Sequence, residues 1–168
     1  MMSTNTRQGR NPIPKSTLPL ALTLIFGLCS AGAIAAGEGD DYARASSGTR
    51  VFENDGGAII KILVEAANLG EGSVEVGELT LPPGARSGGH AHGALEIFYV
   101  VSGEMEHVVN GESYLLKPGM VGIVKAGDEV GHNVPGDEPC VSVVIWVPGG
   151  EADRIAPGFK VRSLSNQM

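Results

Sequence analysis

The sequence predicts an all-β protein: a single β-sandwich or jelly-roll barrel that follows a signal peptide. Three observations predict this fold class. Between residues 50 and 148 nearly every segment is short and rich in β-branched residues, Gly, Pro and Asn turn signals separate the segments, and no amphipathic helix of convincing length occurs. A chain of 168 residues with 42% hydrophobic and 18% charged residues has the size and balance of one globular domain.

The first 36 residues predict a secretory signal peptide. Three basic residues precede an apolar run from Leu18 to Cys29, and the small residues around Ala35 suit a signal peptidase. The run is shorter than the roughly 20 residues needed to cross a bilayer. A lipid anchor on Cys29 and an uncleaved membrane anchor are the alternatives. The leader predicts a periplasmic or secreted protein that has no membrane contact after cleavage.

The charge of the chain argues against nucleic acid as a partner. The 12 Lys and Arg residues and 19 Asp and Glu residues give a net charge of −7. Three of the basic residues lie in residues 1–36, so the mature chain would have 9 basic and 19 acidic residues and a net charge of 9 − 19 = −10. A polyanion repels such a surface. Cleavage also leaves Cys140 as the one cysteine, which its apolar neighbours predict to be a buried small residue. An intermolecular disulfide is the alternative.

Composition also predicts the domain boundaries. Residues 37–49 are rich in Gly, Ser, Asp and Ala and predict a flexible arm, whereas the polar residues 149–168 predict a C-terminal tail. The β-domain occupies residues 50–148. Its candidate strands, in chain order, are 50–53, 58–66, 73–81, 95–101, 104–109, 112–116, 120–124, 130–134 and 140–147.

The segment GARSGGHAHGALEIFYVVSG, residues 84–103, contains the pattern that carries most chemistry. Side chains alternate faces along a strand, so His90 and His92 would project to the same side, and Glu96 has the same parity. A carboxylate that points into an apolar interior needs a partner. Two imidazoles and a carboxylate suit a divalent transition metal such as Fe, Mn, Ni, Zn or Cu.

A fourth metal ligand has to come from another part of the chain. His132 is the strongest candidate because Val130, His132 and Val134 would share one inward face. His107 is the other histidine available, and its expected role is to line the cavity without binding the metal. A site without a fourth protein ligand is the remaining alternative.

Residues 84–103 resemble the first motif of the cupin superfamily, G(x)5HxH(x)3-4E(x)6G, at every specified position: Gly84, His90, His92, Glu96 and Gly103. The second motif, G(x)5PxG(x)2H(x)3N, is matched less well. Gly119 and Gly127 have the right separation, but Lys125, Val130 and Val134 occupy the proline, histidine and asparagine positions. His132 comes two residues late, and a shift of two residues preserves the face of a strand.

The resemblance implies a single cupin jelly-roll β-barrel with one metal held by His90, His92, Glu96 and His132, and with open positions for water, dioxygen or substrate. It also implies a homodimer. The expected function is that of an exported metal-dependent enzyme acting on a small polar molecule, of dioxygenase, decarboxylase, lyase or isomerase type, with Glu96 as a catalytic base. A non-catalytic binding module and a structural subunit are the alternatives.

Three further residues are candidates for the lining of the pocket. Arg86 could bind a substrate carboxylate, although a solvated loop arginine is the more common case. Phe98 lies on the same face as Glu96, and His107 alternates with Met105 and Val109. Each of the three also has an ordinary structural role available to it, in the loop, the core or the cavity wall.

Overall fold

The computed structural model describes residues 42–164, which form two facing β-sheets with a short helical segment near the C-terminus. The strands are β1 (Arg50–Glu53), β2 (Ile59–Val64), β3 (Glu75–Leu81), β4 (His90–Ala91), β5 (Leu95–Ser102), β6 (Met105–Val109), β7 (Glu112–Leu116), β8 (Val121–Val124), β9 (Glu129–Asn133), β10 (Cys140–Val147) and β11 (Lys160–Ser163). The helices are α1 (Ala66–Leu69) and α2 (Glu151–Ile155), and a 3-10 turn covers Ala156–Gly158.

All pairs of neighbouring strands are antiparallel. The larger sheet has the order β11-β1-β2-β3-β10-β5-β8, and the smaller one has the order β4-β9-β6-β7. The chain crosses repeatedly between the two sheets, which is the arrangement of a jelly roll and confirms the predicted all-β fold class. Among the residues described, no helix is both long and apolar enough to cross a bilayer.

The core lies between the two sheets and follows from the alternation of side chains along each strand. In β10 every second residue from Cys140 to Trp146 is buried, and β5 alternates in the same way through Glu96, Phe98 and Val100. Other fully buried apolar positions are Phe52, Ile62, Met105, Val124, Val130, Val144 and Ala152. Cys140 is buried as expected and has a free thiol.

Each of the nine predicted strands is present, with bounds that differ by at most two residues. The strand assignment for residues 58–66 holds for β2, after which Ala66–Leu69 forms a single helical turn that ends at Gly70 in the left-handed region, at φ 84°. The sequence did not predict β4, which has two residues, or β11. Residues 42–48 contain no strand and are mostly exposed, while the rest of the predicted arm and the signal peptide lie outside the described residues.

The structure differs from the predicted C-terminal tail. Residues 151–163 form α2, the 3-10 turn and β11, and β11 pairs antiparallel with β1. Ala152 is fully buried, and Ile155 and Phe159 pack against the core. The buried Glu75 accepts hydrogen bonds from the backbone N–H groups of Gly150 and Ala152 at the start of α2. We call residues 151–163 the C-terminal strap.

Candidate metal and ligand site

A cavity of about 370 Å³ lies inside the barrel, beside the predicted metal ligands. Strands of both sheets and the C-terminal strap surround it. The lining residues are Asn54, Ala58, Ile60, Leu79, Leu81, Ser87, His90, Glu96, Phe98, His132, Val144, Trp146, Ile155 and Phe159. Three of the four predicted ligands therefore border a space large enough for a small molecule.

The predicted histidines lie close together, as the spacing HxH implies. The ring centroids of His90 and His92 are 4.8 Å apart, and those of His90 and His132 are 5.9 Å apart. His92 and His132 are buried, whereas His90 is exposed and its Nδ1 lies 3.2 Å from the backbone oxygen of Gly88. His90 is thus the member of the cluster nearest to solvent.

Glu96 is almost completely buried, with 1% of its surface exposed. Its Oε1 accepts a hydrogen bond of 2.7 Å from the indole N–H of Trp146, and Nε2 of His92 lies 3.1 Å from the same oxygen without the geometry of a hydrogen bond. Burial raises the pKa of Glu96 to about 8, although the Trp146 hydrogen bond opposes this shift. A carboxylate so poorly solvated favours a cation beside it.

His132 occupies the inward face of β9, as the displaced second motif predicted. Val130 and Val134 are buried on the same side. The backbone N–H of His132 donates to Ser87 Oγ at 2.7 Å, which fixes this part of β9 against the loop before His90. Burial, together with the nearby His107, His90 and His92, lowers the pKa of His132 to about 3. The ring is therefore neutral at pH 7, which is the state that binds metals.

The buried carboxylate of Glu151 contacts His92 from the side away from Glu96. Glu151 Oε2 lies 3.2 Å from His92 Nδ1, and Oε1 accepts a hydrogen bond from the N–H of Gly93 at 2.9 Å. Arg154 donates to Glu151 Oε2 at 2.6 Å. Although burial acts to raise the pKa of Glu151, the hydrogen bonds from Arg154 and His92 leave it below its usual value.

The charge of Glu151 favours the tautomer of His92 that carries its proton on Nδ1. Arg154 NH2 also lies 3.0 Å from His92 Nδ1, but it has the carbonyl oxygen of Ala91 as an acceptor at 2.8 Å. Because Glu96 Oε1 already accepts from Trp146, it has less need of a proton from His92 Nε2. We therefore infer that Nδ1–H donates to Glu151 and that the lone pair of Nε2 faces Glu96.

The donor set fits a divalent transition metal. His92 Nε2, Glu96 Oε2 and His132 Nε2 are all buried and have no hydrogen-bond partner among the residues described. Unsatisfied buried donors and acceptors are uncommon in native proteins and point to an ion or water. Within residues 42–164, however, no three His, Cys, Asp or Glu side chains have the spacing of ligands to a single ion. The fit therefore rests on the chemistry and burial of the donors.

The three candidate lining residues differ in their positions. Phe98 lines the cavity, with its ring centroid 4.6 Å from that of His132. Arg86 is exposed and absent from the lining, and its backbone forms an isolated β-bridge with Asn133. His107 stacks on His132 at 5.3 Å, but it borders a separate groove that also contains Met120 and Gly122.

Sequence reasoning missed the contribution of the C-terminal strap to this site. Glu151 contacts His92, and Ile155 and Phe159 line the cavity. A signal was available, because Ala152, Ile155 and Phe159 repeat at the spacing of one helix face. The polar residues around them masked this periodicity.

The fold and the site together define a small jelly-roll β-barrel with three histidines and a glutamate beside an internal cavity. Residues 77–146 match the family model described as Cupin domain. This segment of the chain is a cupin domain, as the resemblance of residues 84–103 to the first motif suggested.

Several solved structures share this fold. An RmlC-like cupin from Shewanella frigidimarina aligns with a TM-score of 0.57 at 21% identity, over 68% of this chain and 98% of that chain. A predicted oxalate decarboxylase from Thermotoga maritima aligns with a TM-score of 0.53 at 21% identity, over 60% of this chain and 92% of that chain. KdgF from a Halomonas species aligns with a TM-score of 0.51 at 20% identity, over 61% of this chain and 89% of that chain. No curated protein matches the sequence.

Proposed function

We propose that this protein is an exported, metal-dependent cupin enzyme in which His90, His92, Glu96 and His132 hold one divalent transition metal. The observation that carries the proposal is the set of three buried, unpartnered donor atoms on His92, Glu96 and His132, of which those on Glu96 and His132 belong to residues that line the cavity. Fe, Mn, Ni, Zn and Cu all accept such nitrogen and oxygen ligands. Export rests on residues 1–36, which lie outside the described part of the structure.

The bound metal would supply Lewis-acid or redox chemistry to a molecule in the cavity. The residues of the chain divide the remaining work. Glu151 orients His92, and the apolar walls exclude water from the space beside the cluster. Glu96, the one carboxylate of the lining, is our candidate for a base, and its Oε2 would have to leave the metal before it accepts a proton. We expect a reaction of dioxygenase, decarboxylase, lyase or isomerase type.

Metal analysis of purified variants tests the ligand assignment. We expect His90→Ala, Glu96→Ala and His132→Ala each to weaken metal binding by roughly tenfold or more, because each removes a ligand, whereas His107→Ala keeps nearly full metal content. Binding is measured by titration of the metal-free protein with Mn²⁺ and Zn²⁺, and circular dichroism verifies the fold. Full occupancy in His90→Ala would refute the assignment, and loss in His107→Ala in place of His132→Ala would make His107 the fourth ligand.

A non-catalytic metal- or ligand-binding cupin is the second candidate. The irregular second motif favours it, as does the lack, within residues 42–164, of ligands already spaced for one ion. The two functions differ in turnover. Metal-loaded protein that binds small molecules but neither consumes dioxygen nor converts any member of a panel of carboxylates and sugars would support the binding module.

A further inference from the structure

The lining of the cavity is mostly apolar, with a small number of polar side chains. Most of its area comes from aliphatic and aromatic side chains of both sheets and of the C-terminal strap: Ile60, Leu79, Leu81, Phe98, Val144, Ile155 and Phe159. Water finds few hydrogen-bond partners in a cavity with such walls, so the cavity favours an apolar occupant. The body of any ligand in this space therefore has to be largely apolar.

Three polar atoms of the lining that lie outside the histidine–glutamate cluster are already hydrogen-bonded within the protein, whereas the amide nitrogen of the half-buried Asn54 has no partner among the residues described. Asn54 Oδ1 accepts from the N–H of Ala58 at 2.9 Å, and Ser87 Oγ accepts from the N–H of His132 at 2.7 Å. The indole N–H of Trp146 donates to Glu96 Oε1. The buried lining atoms left without a partner are Glu96 Oε2 and His132 Nε2.

From this distribution we propose that the ligand of the cavity is a small amphiphile: one polar head group that meets the histidine–glutamate cluster, and an apolar alkyl or aryl body that fills the space between Leu79, Val144 and Phe159. The inference deepens the proposed function by naming the substrate class of the same site. It limits the expected polarity of the substrate to the end that meets the cluster. A sugar or a short dicarboxylate would leave polar groups against apolar walls, which is unfavourable.

The protein carries its own reporter for occupancy. Trp146 is the one tryptophan of the chain, and it lines the cavity with only 2% of its surface exposed. Its fluorescence should respond to a molecule that enters. The probes are the straight-chain alcohols from propanol to octanol, titrated into the full mature protein in EDTA. Each added methylene should tighten binding about fourfold until the cavity is full, since burial of a CH₂ contributes about that factor.

A matched pair of probes separates this ligand class from simple filling of space. Hexanol and 1,6-hexanediol have the same length, but the diol brings a second hydroxyl against the apolar walls. We expect the diol to bind at least tenfold more weakly. Equal affinity for the two probes, or affinity that does not change with chain length, would overturn the proposal.

Variants locate the binding in this cavity. Ala58→Phe adds a ring at the half-buried Ala58 and should weaken octanol binding most, whereas Phe159→Ala enlarges the space and should shift the best chain length upward. Leu115→Phe, at a 45% exposed position on β7 outside the lining, is the control and should leave octanol binding unchanged. Thermal unfolding of each variant establishes that it is folded. A folded Ala58→Phe protein with unchanged octanol affinity would contradict the proposal.

The test is independent of the metal. Chain-length dependence without metal binding would reject the proposed enzyme and keep the ligand class. Metal binding without chain-length dependence would reject the ligand class and leave the proposed metal site standing.

Discussion

His92 is oriented by a carboxylate that lies 59 residues further along the chain. Glu151 accepts from Nδ1 of His92 and from the N–H of Gly93, and Arg154 holds the same carboxylate in place. A carboxylate behind a metal-binding histidine fixes the tautomer and makes the second ring nitrogen a better ligand. Glu151 is therefore a positioning residue for the proposed metal.

We expect Glu151→Gln to weaken metal binding by about tenfold to a hundredfold, the range typical for loss of such a partner. The amide removes the charge that holds the proton on Nδ1 of His92. Asp153→Asn is the matched control, because Asp153 lies on the same helix but is exposed and pairs with Arg50. Metal titration gives the affinity, and ¹⁵N NMR of the metal-free protein gives the tautomer. Unchanged tautomer and affinity in folded Glu151→Gln would reject this role.

The residues of the site that the sequence predicted are those encoded by local spacing. His90, His92 and Glu96 share one parity within seven residues, and His132 keeps the inward face of β9 despite its shift of two positions. Glu151 could not be found in this way, since its contact with His92 depends on how the C-terminal strap returns to the barrel. A contact between residues so far apart in the chain does not produce a periodic pattern of residue types in the sequence.

At the scale of elements, short strands and turns were predictable because alternation and turn chemistry are local properties. Asn110-Gly111, for example, joins β6 and β7 with both residues at positive φ, as a type I′ hairpin requires. The C-terminal strap was not predictable from its polarity, because only four of its apolar side chains pack on the core: Ala152, Ile155, Ala156 and Phe159. β4 is too short to have a pattern, and it is defined by its pairing with β9.

The first and last glycines of the histidine motif have nearly equal backbone angles but different surroundings. Gly84 has a φ of 71° and open space where a Cβ would lie, whereas Gly103 has a φ of 72° and would place a Cβ 2.3 Å from the backbone oxygen of Pro139. Alanine at either position has to adopt the left-handed region. At Gly103 the loop before β10 also has to move.

We expect Gly84→Ala to lower the free energy of unfolding by about 1 kcal/mol and Gly103→Ala to lower it by roughly 3 kcal/mol or more. Urea unfolding of the two variants, followed by circular dichroism, measures the difference. Each variant serves as the control of the other, because the backbone strain is shared and the steric clash is not. Equal losses would mean that the β5–β6 turn accommodates a methyl group freely and that the motif glycine is required for φ alone.

For the whole molecule, the outer face of the larger sheet is unusually apolar. Tyr99, Val121 and Ile123 are 45%, 49% and 59% exposed, and Tyr99 pairs with Val121 across β5 and β8. Val101 adds to this outer patch. β8 is also the last strand of its sheet among the residues described. An apolar face next to an unpaired edge is a site of association unless a partner covers it.

A second copy of the chain is the partner that we expect at the outer patch, in agreement with the homodimer that the cupin resemblance implies. Antiparallel pairing of β8 with its counterpart across a two-fold axis would join the two sheets and bring the two patches side by side. The patch residues carry no charge, whereas the chain as a whole is acidic, with a net charge of −7. Two copies therefore meet with least repulsion at this face.

Ile123→Lys tests this interface, because a lysine on each copy places like charges at the centre of the paired strands. We expect the unsubstituted protein to sediment as a dimer and Ile123→Lys as a monomer with an unchanged circular dichroism spectrum. Val161→Lys is the matched control, since Val161 is 44% exposed on β11, at the opposite edge of the same sheet. A dimer that survives Ile123→Lys but dissociates with Val161→Lys would move the interface to β11, and a monomeric unsubstituted protein would refute the dimer.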